Sequence, residues 1–248
     1  MSKELAKKEE AGLPAVINFG EDAGAGFEGA SAESYAIPFL RQLQAMSGQC
    51  KKQDPSYIKG AEEGDFYNTV TEKLYKGEDG VMVIPCYYVQ KYNEWAPDRG
   101  GFRGSHTVAE YAGLRKMSAK DNQGREYEAN VETGNVLQDT REHYVLILNP
   151  DGTTEPALLA MTGSQLKKSK KWMTLMQGIC GSTKPMFSQI YKITAVGESN
   201  DKGSWAGMKA EHASEINNID QYNAAKMFRD MVRSGAAQAA PVDEESPF

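Results

Sequence analysis

Two apolar runs of strand length, His143–Leu148 and Glu155–Met161, are separated by Asn149-Pro150-Asp151-Gly152. That punctuation constrains the fold more than any other feature of the chain. Proline stops a helix from running through it, glycine supplies the left-handed backbone a tight turn needs, and Asn and Asp close turns with their own side chains. The flanking runs therefore read as an antiparallel strand pair. A second pair follows. Phe187, Gln189, Tyr191, Ile193 and Ala195 alternate with Ser188, Ile190, Lys192, Thr194 and Val196; Gly197–Gly203 reads as a turn, and Ser204–Glu211 as the returning strand. Val81–Tyr92, opening after Gly77–Gly80, is β-rich and makes a fifth strand.

Between the third and fourth of these strands lies Ser164–Gly178. Projected at about 100° per residue, Leu166, Trp172, Met173 and Met176 share one arc, and Lys167, Lys168, Lys170 and Lys171 share the other; Leu175 breaks the pattern. The segment reads as an amphipathic helix with a lysine face. A last helix is expected over Asp220–Arg233, with Asp220 as N-cap and Ser234-Gly235 after its end. Three strands, a helix and two strands predict a mostly β fold with α additions: an OB-fold-like five-stranded barrel with a helix between strands 3 and 4. It requires a long insertion, about Asn93–Glu142, between strands 1 and 2. Other small α+β folds give the same order, so that alternative stays open. Residues 35–80 become an N-terminal addition, with a short helix expected over Ile37–Met46 and a strand-like segment over Phe66–Leu74. Residues 1–34, rich in Gly, Ala and Glu, are expected to be a flexible segment, 35–233 a single OB-like domain, and 234–248 a flexible acidic tail.

The 248 residues suit one decorated domain or two small ones. No apolar run approaches the roughly 20 residues that cross a bilayer, and Met1–Glu10 has no apolar stretch of the kind a secretion signal carries. Cys50, Cys86 and Cys180 are odd in number and far apart, which fits a reducing cytoplasm rather than a disulfide framework. The net charge of −6 argues, taken whole, against a nucleic-acid partner. Its distribution argues otherwise. Residues 1–34 hold three Lys against seven acids, and residues 241–248 hold three acids and no base. Pro156–Val196 holds six Lys (167, 168, 170, 171, 184 and 192) and no Asp or Glu. That is a local positive field inside a nominally acidic protein.

The last residues read Asp243-Glu244-Glu245-Ser246-Pro247-Phe248: acids, then an aromatic with nothing of its own to pack on. Such a segment suits a partner pocket that takes the ring and rims it with basic groups. It resembles the C-terminal tip of bacterial single-stranded DNA-binding proteins, with Ser246 where that family usually has a hydrophobic residue. It is similar, too, to phage single-stranded DNA-binding proteins, which pair an OB barrel with an acidic tail. Tyr35-Ala36-Ile37-Pro38-Phe39-Leu40 and Val83-Ile84-Pro85-Cys86-Tyr87-Tyr88 add to the likeness with phage replication proteins. The resemblance implies a phage protein of the host cytoplasm that binds single-stranded DNA and recruits replication or recombination proteins through Asp243, Glu244, Glu245, Pro247 and Phe248. A homo-oligomer is compatible with it.

Physical chemistry points the same way. Single strands are held by cations along the phosphates and aromatic faces under the bases. Tyr87, Tyr88, Lys91, Tyr92, Trp95, Arg99, Phe102 and Arg103 interleave the two kinds of side chain, and Arg99–Gly104 has an RGG-like texture. About half of these aromatics are expected to be core, because successive residues of a strand face opposite ways. Lys167, Lys168, Lys170, Lys171, Trp172 and Lys192 form a second candidate set, for DNA or for the acidic tail; the plain alternative is a solvated helix face. Catalytic signals are weak. His106, His143 and His212 form no metal-binding pair, no phosphate-binding loop is present, and the GxGxxG match at Gly24–Gly29 follows no strand. Gly181-Ser182-Thr183 reads as a turn. No enzyme activity, metal or cofactor is therefore expected. The alternatives are a phage recombination annealase, a metal-dependent nuclease using Glu62, Glu63 and Asp65, and a virion component that never meets DNA.

Overall fold

The structure is a computed structural model that describes residues 25–26, 28, 36–97, 100–121, 124–201 and 203–239. The elements below all lie within Ala32–Phe248, one of the two units into which the chain divides. In chain order the strands are β1 (Ala36–Ile37), β2 (Leu40–Gln42), β3 (Phe66–Asn68), β4 (Leu74–Tyr75), β5 (Val81–Trp95), β6 (Phe102–Thr107), β7 (Lys116–Lys120), β8 (Glu126–Asn130), β9 (Val136–Leu148), β10 (Thr154–Thr162), β11 (Gln189–Asn200), β12 (Gly203–Glu215) and β13 (Gln238–Ala239). The helices are α1 (Val108–Gly113), α2 (Leu166–Cys180) and α3 (Ile219–Arg233). The fold is mostly β with α additions.

The main sheet runs β12-β11-β5-β9-β8-β7, with β10 also on β9 and β6 also on β5. Its spine is the antiparallel ribbon of β5 and β9, paired from Val83↔Ile147 to Trp95↔Val136. At one end the ribbon is flanked by β11, on Val81–Val83, and by β10. At the other it is flanked by β6, on Lys91–Trp95, and by β8. The stretch expected as an insertion thus prolongs both central strands into a β arm carrying β6, α1, β7 and β8. Cys86 is an extra residue in β5, where the register shifts between Pro85 and Tyr87. A bulge accommodates Pro85, which has no N–H to give to the ladder.

The apolar runs are continuous because both faces of this sheet are covered. Val81, Val83, Val145, Ile147, Ala157, Leu159, Met161, Tyr191 and Ile193 pack with Trp172 and Met176 of α2. Ile84, Cys86, Tyr144, Leu146, Leu158 and Ile190 face the other way, onto Ala225, Phe228 and Val232 of α3. Neighbours in one strand thus serve two cores with a period of two.

The N-terminal addition is extended where a helix was expected at Ile37–Met46. Ile37 enters the α3-side core and Leu40 the α2-side core, an alternation that only extended backbone delivers. Between them Pro38 accepts from the Leu158 amide (2.8 Å), and Phe39 bridges Leu158. Phe66–Leu74 is a hairpin rather than one strand: Asn68 Oδ1 accepts from the amides of Val70 and Thr71 and turns the chain. The N-cap of α3 is Asn218, not Asp220; its Oδ1 accepts from the amides of Asp220 and Gln221. The expected tail boundary also moves, since residues 234–239 return from α3 and β13 pairs in parallel with β1.

In the described sheets β10 and β12, the third and fifth expected strands, are not paired, so no closed five-stranded barrel forms. Glutamine side chains and the N-terminal segment fill the seam. The Gln44 amide donates to Ala206 O (3.0 Å) and accepts from Ala206 N (3.0 Å), as a neighbouring strand would. Gln165 accepts from Met208 N (3.2 Å) and donates to Ala206 O (3.3 Å), and Gln42 donates to Gly207 O (2.9 Å). On the other side of the seam, Phe39 bridges β10.

Candidate nucleic-acid interface

α2 begins with cations. Gln165 sits at its N-cap, but its amide is engaged with β12 and gives the helix no side-chain cap; the first turn holds no acid. Lys167, Lys170 and Lys171 are exposed, and no ion pair places a carboxylate on them among the described residues. Only Lys168 is paired, with Glu198, whose carboxyl it holds below the usual carboxylate range. A lysine in the first turn faces the positive end of the helix dipole, which is unfavourable for folding. The arrangement leaves exposed ammonium groups on one side of the fold, a surface that attracts anions. Lys192, on β11, is half-buried, with its Cε close over Gly80.

Trp172, grouped with these lysines by sequence, is interior: 2% exposed, stacked on His143 (centroids 4.6 Å) and edge-on to Tyr191 (5.8 Å). Its position four residues before Met176 places it on the buried arc of the helix. Beneath it, burial drives the His143 imidazole down to a pKa of about 3, and Ser169 Oγ lies 2.8 Å from its Nε2. Trp172 presents no ring face to a base.

The β5 set divides similarly. Tyr87 packs into the α3-side core. Tyr88 is half-buried, and its hydroxyl accepts from Arg141 (2.9 Å). Lys91 is held by the buried Glu142 (2.6 Å). Tyr92 lies flat against Tyr111 of α1, centroids 3.4 Å apart and planes 3° apart. Trp95 is interior at 2% exposed; its indole N–H donates to Gln138 (3.1 Å), and Phe102 meets it edge-on. Trp95 therefore joins the arm's interior rather than a stacking surface; the irregularity beside it lies in β6, where Arg103 is the extra residue, and leaves the alternation of β5 unbroken. Phe102 is half-exposed, and Arg103 is exposed with a bond to Gly100 O. Arg99, Asp243, Glu244, Glu245, Pro247 and Phe248 lie outside the described residues, as does most of the segment read as 1–34.

The arm is organised around one buried carboxylate. Glu94 accepts from Thr133 (2.5 Å), Asn135 (2.7 Å) and Asn130 (3.4 Å), and His106 Nε2 lies 2.6 Å away. Burial alone would raise its pKa, but these bonds outweigh burial and bring it to about 2. The hub ties β5, β6 and β8 to the turn before β9.

Sequence reading missed Tyr111, Lys116 and Arg141. Tyr111 carries Tyr92 on its face, gives its hydroxyl to Glu128, and has Lys116 Nζ 4.3 Å from its ring centroid. A signal was present, since Thr107-Val108-Ala109-Glu110 forms a capping box that starts α1. Trp205 was missed as well. It lines a cleft of about 890 Å³ with Glu62, Glu63, Asp65, Glu78 and Glu198. Asp65 is engaged there, with Lys76 (2.9 Å) and the amides of Gly77 and Glu62. Among the described residues no group of three or more His, Cys, Asp or Glu is placed to hold a metal ion, and no helix is long and apolar enough to cross a membrane.

No curated protein and no solved structure matches the chain. A family model described as Pam3 phage gp34-like protein matches residues 6–238, a span that contains the ribbon, the arm and all three helices. The chain belongs to the Pam3 phage gp34-like protein family.

Proposed function

We propose that this phage protein binds single-stranded DNA without catalysing a reaction, in replication or recombination. The observation that carries the reading is the N-terminal half of α2, where Lys167, Lys170 and Lys171 are exposed without described acid partners in a stretch free of Asp and Glu. Phosphates would sit on these ammonium groups. Bases would stack on Phe102 and on the exposed parts of Tyr88 and the Tyr92–Tyr111 pair, with Arg103 as a further phosphate contact. Trp95 and Trp172, being interior, act as supports. The strand-neighbour order β12-β11-β5-β9, followed by β10 on β9, supports an OB-type reading, with the seam between β10 and β12 closed by side chains. Asp243, Glu244, Glu245, Pro247 and Phe248 would recruit the replication or recombination partner.

The test is a titration with single-stranded and double-stranded oligonucleotides at about 50 and about 200 mM salt. Preferential binding of the single strand, weakened steeply by salt, is the expected result. No binding to either at low salt refutes the reading. Strand annealing by large assemblies would point to an annealase, and cleavage of the labelled strand on adding Mg²⁺ to a nuclease.

A further inference from the structure

α3 buries Ala225, Phe228 and Val232 against the sheet and leaves its other side open. There Asn223, Lys226, Met227, Asp230, Met231 and Ser234 line a shallow hollow of about 470 Å³. Met227 is 64% exposed. At about 100° per residue, Lys226 and Arg233 fall on one rim of this hollow with Arg229 beside them. Arg229 is paired with Asp230, which cancels the one acid in the hollow. No ion pair places a carboxylate on Lys226 or Arg233 among the described residues. The surface thus combines two thioethers, which pack well against aromatic rings, with two uncompensated cations. It fits an aromatic side chain with carboxylates next to it.

The chain itself carries that chemistry nearby. β13 is anchored on β1 (Ile37↔Ala239), five residues after Ser234 at the edge of the hollow. The nine residues that follow, Ala240–Phe248, extend to about 30 Å, more than enough to lie along α3. They include Asp243, Glu244, Glu245 and Phe248. The lysine face of α2 offers these acids more charge, but its apolar arc, with Trp172 and Met176, is buried against the sheet. We propose that Pro241–Phe248 folds back on α3 of the same chain, with the Phe248 ring between Met227 and Met231 and Asp243–Glu245 along Lys226 and Arg233. Tethering over so few residues gives the segment an effective concentration of about a millimolar, so a weak contact is enough to populate the docked state. The docked segment shields Phe248 until a partner with a deeper pocket competes for it. This inference stands whether or not the protein binds DNA.

The test uses the full chain with ¹³C-methyl methionine, the Met227 and Met231 signals being identified by Met227→Leu and Met231→Leu. In the unaltered chain both methyls are expected to show a ring-current displacement that Phe248→Ala removes, while Met173 and Met176 stay in place. Replacing Asp243, Glu244 and Glu245 together by amides should remove part of the displacement, as should raising the salt. Adding a peptide of residues 241–248 to the Phe248→Ala chain should restore it. The proposal is overturned if Phe248→Ala leaves both methyls unmoved, if the methionines of α2 respond instead, or if the displacement grows with protein concentration. The last result would assign the hollow to the tail of a second copy.

Discussion

Replacing Lys167, Lys170 and Lys171 together by Gln separates a DNA-binding face from a merely solvated one. Each phosphate neutralised on a single strand contributes about 0.7 to the slope of log K against log salt. If all three lysines contact phosphates, the slope falls by about 2. Raising salt from about 50 to about 200 mM should then weaken the unaltered chain about 20-fold more than the variant. Folding responds in the opposite direction. Lys167 lies in the first turn of α2, where the helix dipole and the missing side-chain cap disfavour a cation. Its removal should stabilise the fold by about 0.3–1 kcal/mol, raising Tm by roughly 1–4 °C. The assay is fluorescence anisotropy of a labelled oligothymidylate across a salt series, paired with thermal unfolding. An unchanged slope with an unchanged or raised Tm would refute the assignment of these lysines to phosphate. A solvated face gains stability from the same change but has no binding to lose, which is why both measurements are needed.

Glu94→Ala should unfold the arm before the rest of the sheet, because it strands the donors of Thr133, Asn135 and Asn130. A loss of about 2–3 kcal/mol, seen as a Tm lower by roughly 5–10 °C, is expected, with early loss of amide protection in β6 and β8. Acid should act on two groups in sequence. His143 stays neutral in the fold down to about pH 3 but takes up a proton near pH 6.5 when unfolded. Stability should therefore fall by up to about 1.4 kcal/mol per pH unit below 6.5, and chemical denaturation of His143→Gln should lack that slope. Glu94, depressed to about 2 from a reference of 4.5, contributes stability that is complete above pH 4.5 and lost between 4.5 and 2; Glu94→Gln should flatten that range. Gln44→Ala should cost about 1–3 kcal/mol by leaving the Ala206 N–H unpaired and its C=O with Gln165 alone, and hydrogen exchange should show Ala206 losing protection.

Strand order was legible because apolar runs and turn chemistry are local signals. Asn149–Gly152 and the alternation in Phe187–Val196 mark strands wherever they sit. The lysine face of α2 was readable for the same reason, since helical spacing decides which residues share an arc. Length and partnership were not readable. Nothing local says that Val81–Tyr92 continues to Trp95, or that residues beyond Asn93 remain in register with Val136–Leu148, because that pairing is settled by contacts 40 or more residues away. The Ile37–Met46 segment misled because Ile37 and Leu40 can mark a helix face or two sides of an extended chain, and burial in two cores decided between them. Trp95 and Trp172 read as stacking candidates from residue type alone; packing inside the arm and the facing of α2 set their actual direction. Glu94 gave no signal, since its four partners come from β6, β8 and the turn before β9.

The glutamine clasp along β12 changes how the molecule can vary. A backbone ladder is blind to residue type and survives most substitutions, whereas this seam is written in three side chains, Gln42, Gln44 and Gln165. Shortening any one of them removes hydrogen bonds that the main chain cannot replace, so the outer wall is secured by rivets rather than by a weld. Drift at those three positions would let the β11–β12 hairpin part from the N-terminal sheet while the ribbon and its two covering helices stay whole. Relatives that lack these glutamines should therefore seal the gap with a true strand pairing or leave it ajar.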